Sequence, residues 1–201
     1  ETITGENGGT ATVDSKNNTI TLDNFKGNYP LEFNAEFTPN SIILIGDSTL
    51  SAVETKYQNL TISGSGSLTV GSIKVHNQKA SSDDKPNLTI NGATVTVGTA
   101  ELTTRAIDID GDLTVTNGSL TATSASNNVP TVQVGGNASF TGSTVTITNN
   151  STTQGEQYKD SNAASSALHV NGAVTISGGT VTAEAKAGGN AIRAVGNITV
   201  S

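Results

Sequence analysis

The stretch that decides the fold is Asp112-Leu-Thr-Val-Thr-Asn-Gly-Ser-Leu-Thr-Ala122. Leu113-Thr114-Val115 and Leu120-Thr121-Ala122 alternate apolar and polar residues, the signature of half-buried strands, and Asn117-Gly118 between them is a turn. The same phrase recurs along the chain: Asn59–Val70 (NLTISGSGSLTV), Asn87–Val97 (NLTINGATVTV), Asn137–Ile147 (NASFTGSTVTI), Ala173–Ala183 (AVTISGGTVTA) and Asn197–Ser201 (NITVS). Its first apolar residue falls at Leu60, Leu88, Leu113, Ala138, Val174 and Ile198, at spacings of 28, 25, 25, 36 and 24 residues. Short alternating strands repeated at this period belong to a solenoid, whose unit cannot bury its own apolar face and depends on its neighbours.

Within each unit a third strand follows the second after a polar loop. In the unit opened by Asp112 it is Val132-Gln133-Val134, and Gly135-Gly136 turns the chain back. Three strands per unit predict an all-β, three-sided parallel β-helix, right-handed by the crossover rule. Roughly seven coils at ~4.8 Å each give a rod of about 30–35 Å. The whole chain, 1–201, reads as a single domain. Residues 1–58 are expected to form the N-terminal capping coils, with Phe25, Phe33 and Phe37 closing the open end, and 59–201 the regular coils. The last phrase opens a new coil, so the natural polypeptide is expected to continue beyond Ser201. The absence of an initiating Met points to a removed leader.

The inward positions sort by class. First strands offer Leu60/Ile62, Leu88/Ile90, Leu113/Val115, Ala138/Phe140 and Val174/Ile176; third strands offer Ile73/Val75, Ile107/Ile109, Val132/Val134, Leu168/Val170 and Ile192/Ala194. The recurrent Asn59, Asn87, Asp112, Asn137 and Asn197 fit a side-chain ladder running from coil to coil.

Composition narrows the function. There is no Cys, which removes disulfides and thiolate metal sites. A net charge of −7 argues against nucleic-acid binding, and no apolar run is long enough for a membrane helix. The outward positions of the first two faces are Thr and Ser almost throughout, for example Thr94/Thr96, Ser119/Thr121 and Thr144/Thr146. That array resembles the faces of β-solenoid ice-binding proteins; it also follows from Thr being a favoured solvent-facing strand residue.

The third face departs from the repeat. Its outward positions are Lys74, Asp108, Gln133, His169 and Arg193, varied hydrogen-bonding groups of the kind a polysaccharide would need, or else an ordinary solvated face. The longest loop, Asn149–Ser166, contributes Tyr158 as a candidate sugar contact beside Glu156, Lys159 and Asp160. Asp108, Asp110 and Asp112 form a local acidic cluster that could share a Ca²⁺, although the sequence is not an EF-hand. No pair of acids obviously converges as glycoside hydrolysis requires, both His76 and His169 look isolated, and Trp is absent, so an aromatic platform for a sugar must come from Tyr29, Tyr57 or Tyr158. For a lyase, Asp108 with Arg105 or Arg193 is the one candidate group.

Asn18–Asn24 (NTITLDN), Ser41–Val53 (SIILIGDSTLSAV), Leu60–Val70, Ala106–Ala122 (AIDIDGDLTVTNGSLTA) and Asn190–Ser201 (NAIRAVGNITVS) resemble the bacterial "carbohydrate-binding domain-containing" β-helix proteins, exported mostly by anaerobic Gram-positive bacteria. The resemblance covers roughly 17–201. It implies a right-handed three-sided β-helix, an extracellular cell-surface location, and binding to plant-type polysaccharides, sometimes with Ca²⁺. The expected function is therefore a non-catalytic polysaccharide-binding or adhesion module within a larger surface protein. The alternatives are a structural stalk or spacer and a degenerate polysaccharide lyase.

Overall fold

The computed structural model describes residues 1–33, 41–78, 84–153 and 165–201. Phe37, Asp83, Glu156, Tyr158, Lys159 and Asp160 lie outside the described residues. Those described are all-β, and nearly all of their strands pair in parallel. The exception is at the N-terminus, where β1 (Thr2–Thr4) and β2 (Thr10–Asp14) form an antiparallel hairpin laid antiparallel on β3 (Thr19–Asp23).

Pairing follows three ladders. The first runs β3, β5 (Ser41–Leu44), β8 (Leu60–Gly64), β11 (Leu88–Asn91), β14 (Leu113–Thr116), the first halves of β17 (Ala138–Asn149) and β19 (Val174–Ala185), and β21 (Ile198–Val200). The second runs β6 (Asp47–Leu50), β9 (Ser67–Val70), β12 (Thr94–Gly98), β15 (Ser119–Ser124) and the second halves of β17 and β19. The third runs β4 (Pro30–Phe33), β7 (Ala52–Thr55), β10 (Ile73–Val75), β13 (Ile107–Ile109), β16 (Val132–Val134), β18 (Leu168–Val170) and β20 (Ile192–Ala194). The first two ladders belong to one sheet because β17 and β19 continue through the bend that separates their halves. Gly142, at φ +56°, carries β17 around that bend where the preceding repeat uses the turn Asn117-Gly118.

The register is the one the repeats imply. Leu60, Leu88, Leu113, Ala138 and Val174 form one column, and Val53, Ile73, Ile107, Val132 and Leu168 another; all are buried. Size is complemented between neighbouring columns: Ala138 is small where Phe140, two residues on, fills the interior. Each such aliphatic side chain contributes about 1.5–3 kcal/mol when fully buried. Because it is buried by the repeats above and below, that stabilisation belongs to the stack and not to the unit.

The two ends are finished differently. At the N-terminal end the sequence predicts parallel coils closed by Phe side chains. Phe25 and Phe33 are indeed buried, but the hairpin β1–β2 also crosses the end and bonds to the edge of β3, which would otherwise offer unpaired backbone groups. At the other end β21 has a neighbour on one side only, and Ile198 and Val200 are 51% and 72% exposed.

The asparagine column is a ladder of side-chain acceptors. Asn59 Oδ1 accepts from Asn87 N–H (2.8 Å), Asn87 Oδ1 from Asp112 N–H (2.7 Å), Asp112 Oδ1 from Asn137 N–H (2.6 Å) and Asn137 Oδ1 from Ala173 N–H (2.9 Å). A glycine makes room beside the Asn87, Asp112 and Asn137 rungs: a Cβ on Gly136 would stand 2.1 Å from Asp112 Oδ1. The contact needs only an oxygen acceptor, which is why Asp can replace Asn at residue 112.

Candidate functional site

The third ladder places its outward side chains in a single row. From the N-terminal end the row is Glu32, Glu54, Lys74, Asp108, Gln133, His169 and Arg193. Lys74, Asp108, Gln133, His169 and Arg193, picked out from the repeat pattern, therefore occupy consecutive rungs about 4.8 Å apart. Glu32 and Glu54 extend the row and were missed, because β4 and β7 lie in the part of the chain where the repeat is least regular. Tyr158 lies outside the described residues.

Asp108 is the most heavily engaged member. Its Oδ2 accepts from Arg105 Nη1 at 3.1 Å and lies 3.5 Å from His76 Nε2. Burial alone would raise this carboxyl. The close approach of the His76 imidazole and the Arg105 charge outweigh it and hold the group below the ordinary carboxylate value. The same contact with the Asp108 carboxylate raises the His76 pKa above its usual value, against the effect of burial.

Farther along, Arg193 Nη1 lies 2.7 Å from His169 Nε2. A guanidinium has only donors, so Nε2 must accept and the imidazole is neutral with its proton on Nδ1. Burial, then the charges of Arg193 and Arg105, lowers the His169 pKa, in keeping with that assignment. Neither histidine is isolated, as the sequence suggested. His169 and Arg193 are neighbours on the row that the repeat pattern gives, whereas His76 reaches Asp108 from the loop after β10, a proximity that spacing along the chain does not reveal. The chain's two arginines and two histidines all gather on this ladder, in a protein of net charge −7.

Two grooves flank Asp108. One, of about 490 Å³, lies toward the loops that precede the third-ladder strands and is lined by Lys74, His76, Thr104, Arg105, Asp108 and Asn128 among others. The second, of about 480 Å³, lies at the strands' far ends and is lined by Asp84, Lys85, Asp108, Asp110, Gln133 and Asn171 among others. Asp84, from the insertion His76–Pro86, thus borders this edge of the row. The base of that insertion is held by Asn77, whose N–H donates to Asp110 Oδ2 at 2.7 Å.

Asp108, Asp110 and Asp112 have different hydrogen-bond partners, although Asp108 and Asp110 both line the second groove. Asp108 faces Arg105 and His76, Asp110 accepts from the Asn77 backbone, and Asp112 is a rung of the asparagine ladder. Two residues apart, Asp108 and Asp110 share a side of the chain and differ in their partners, not in their face. Among the described residues no group of three His, Cys, Asp or Glu is placed to hold a metal ion together.

The Thr and Ser arrays also fall into register, Thr94 and Thr96 beside Ser119 and Thr121, and these beside Thr144 and Thr146. They present one chemistry repeated, whereas from Glu54 onward the third ladder changes its group at every rung.

No family model matches the chain, and neither does any curated protein or solved structure. Among the described residues no helix is long and apolar enough to cross a membrane.

Proposed function

We propose that the chain is a non-catalytic, extracellular module of a larger surface protein that binds a polysaccharide along its third ladder. In this reading the three ladders close into a right-handed, three-sided parallel β-helix. Each repeat visits the first, second and third ladders in turn, and right-handed crossovers are the rule for parallel strands.

The observation that carries the functional reading is the row from Lys74 to Arg193, with a groove along each side of Asp108. A straight row of varied donors and acceptors on a rigid sheet suits an extended ligand with hydroxyls on both edges. Each contact is weak, and affinity accumulates along the ligand and through neighbouring modules. The engagement of Asp108 by Arg105 and His76 supports binding over turnover, because the carboxylate already has partners for its charge.

Affinity electrophoresis of the purified chain in gels containing hydroxyethylcellulose, arabinoxylan, mucin glycans or dextran tests the proposal. The expected result is retardation by one polymer class, reduced in Arg193→Ala and in Gln133→Ala. Retardation by none would favour a stalk that projects another domain. Appearance of unsaturated sugar ends in the same mixtures would place the chain among the lyases.

A further inference from the structure

A second feature bears on the same ligand and lies at the opposite end of the third ladder from Arg193. Tyr29 immediately precedes β4, and its carbonyl accepts the Ser51 N–H of the next strand at 3.2 Å, so it is anchored to this ladder by its backbone. Its side chain is not used by the fold: Tyr29 is 67% exposed, in a chain with only three tyrosines and no tryptophan. It forms one wall of a groove of about 250 Å³ whose other walls include Ile3, Phe25 and Gly27, with Glu6 and Lys26 also lining it.

The groove is set by backbone contacts. Glu6 N–H donates to Lys26 O at 3.1 Å and Gly27 N–H to Thr49 O at 3.1 Å, which fixes the hairpin end against the first repeat. Gly27 keeps the groove open. A Cβ there would stand 3.0 Å from the Phe25 ring and 3.5 Å from the Tyr29 ring, between the two aromatics. The volume is below the range of sites for drug-sized molecules, so it suits one ring and not several. A site with two aromatic rings and a carboxylate and an ammonium among its lining residues matches a ligand with one apolar face and a polar rim. A pyranose has that form, with axial C–H bonds on its face and hydroxyls around its edge. Glu6 and Lys26, both solvent-exposed at the groove, can reach such a polar rim.

We infer that Tyr29 is a stacking platform for a single pyranose ring of the polysaccharide, at the N-terminal end of the third ladder. This rests on the polysaccharide reading above and adds to it a direction and a length. From β4 to β20 there are six inter-strand steps, about 29 Å in all. The sugar chain accordingly runs along the stack, across the strands, from the platform at Tyr29 to the His169–Arg193 pair.

The test uses the whole chain and whichever of hydroxyethylcellulose, arabinoxylan, mucin glycans or dextran retards it. Because Tyr29 is largely exposed, Tyr29→Ala leaves the fold intact, which thermal unfolding of the variant checks. The expected result is binding weakened about three- to tenfold in Tyr29→Ala and preserved within about twofold in Tyr29→Phe, since a stacking contact needs the ring and not the hydroxyl. Gly27→Ala, which narrows the groove while keeping the tyrosine, is expected to weaken binding as well. With no tryptophan in the chain, ligand addition should also alter the tyrosine emission, and this change should shrink in Tyr29→Ala. Unchanged affinity in Tyr29→Ala, with wild-type binding intact, would overturn the platform and leave the polysaccharide reading standing. Equal loss in Tyr29→Phe and Tyr29→Ala would overturn stacking as the mode of contact. Absence of wild-type binding to all four polymers would remove the reading on which the platform rests, and the platform with it.

Discussion

Replacing Asp108 with Asn should destabilise the protein more at acid than at alkaline pH. The side chains concerned are partly covered, with Asp108 21%, His76 30% and Arg105 36% exposed. Exposed ion pairs contribute about 0–1 kcal/mol, and breaking a fully buried one costs about 3–5 kcal/mol. A half-buried carboxylate serving two cations falls between, at about 1–2 kcal/mol when both are charged. The His76 pKa is raised in the folded state, first by its close contact with the Asp108 carboxylate and then by the charges of Asp108 and Asp110, while burial and Lys74 oppose it. The stabilisation from its protonation is therefore complete below the ordinary value of 6.5 and is lost as pH rises through the raised value. Above that range only the Arg105 contact is at stake. An amide oxygen at residue 108 can still accept from Nη1, so the cost falls to about 0.5–1 kcal/mol. The assay is urea denaturation of wild type and Asp108→Asn at about pH 5 and about pH 9, on either side of the histidine range. An NMR titration of the His76 ring accompanies it. The His76 pKa should fall in the variant, because both contributions from Asp108 disappear while burial remains. An equal loss of stability at the two pH values, with an unmoved His76 titration, would refute the coupling and reduce the cluster to coincidence.

Three further expectations follow from other parts of the molecule. Arg193→Gln should raise the His169 pKa in an NMR titration by removing one of the charges that depress it. In wild type the depressed value makes His169 a source of stability that is complete above 6.5 and declines as pH falls toward the folded value, opposite in sign to His76. Leu113→Ala, in a fully buried column between Leu88 and Ala138, should cost about 3–5 kcal/mol by chemical denaturation, since the neighbouring alanine cannot fill the cavity. Asn87→Ala should cost about 1–2 kcal/mol by removing the acceptor for Asp112 N–H, whereas Asn87→Asp should stay within about 0.5 kcal/mol, as the natural Asp112 rung implies; thermal unfolding of the two variants separates them.

Much of the scaffold was legible in the sequence because a stacked repeat makes local pattern and tertiary register the same information. Leu60, Leu88 and Leu113 occupy corresponding places in their phrases, and each must lie above the last if the phrases pair. The identity of the row Lys74, Asp108, Gln133, His169 and Arg193 followed from the same alternation. What pattern could not supply was anything set by one side chain reaching between repeats or by a loop folding back. Arg105 precedes its strand and turns onto Asp108; His76 follows one strand and reaches the next; Arg193 and His169 meet across a rung. The acidic run Asp108–Asp112 reads as one cluster along the chain, but its carboxylates are engaged by different partners: Arg105 at Asp108, the Asn77 backbone at Asp110 and the ladder at Asp112.

The sequence by itself determined the all-β character, the pairing partners of the repeats and the columns that fill the interior. Those depend on period and alternation, which survive any change in the loops. Only the tertiary structure decided the reversed hairpin that covers the N-terminal end, the pairing and opposed pKa shifts of the two histidines, and the groove beneath Tyr29. The hairpin, the groove and the His76 contact arise where the repeat stops, and the His169–Arg193 contact where the repeat leaves the side chain free to vary; in each the position of a side chain depends on the particular atoms packed around it.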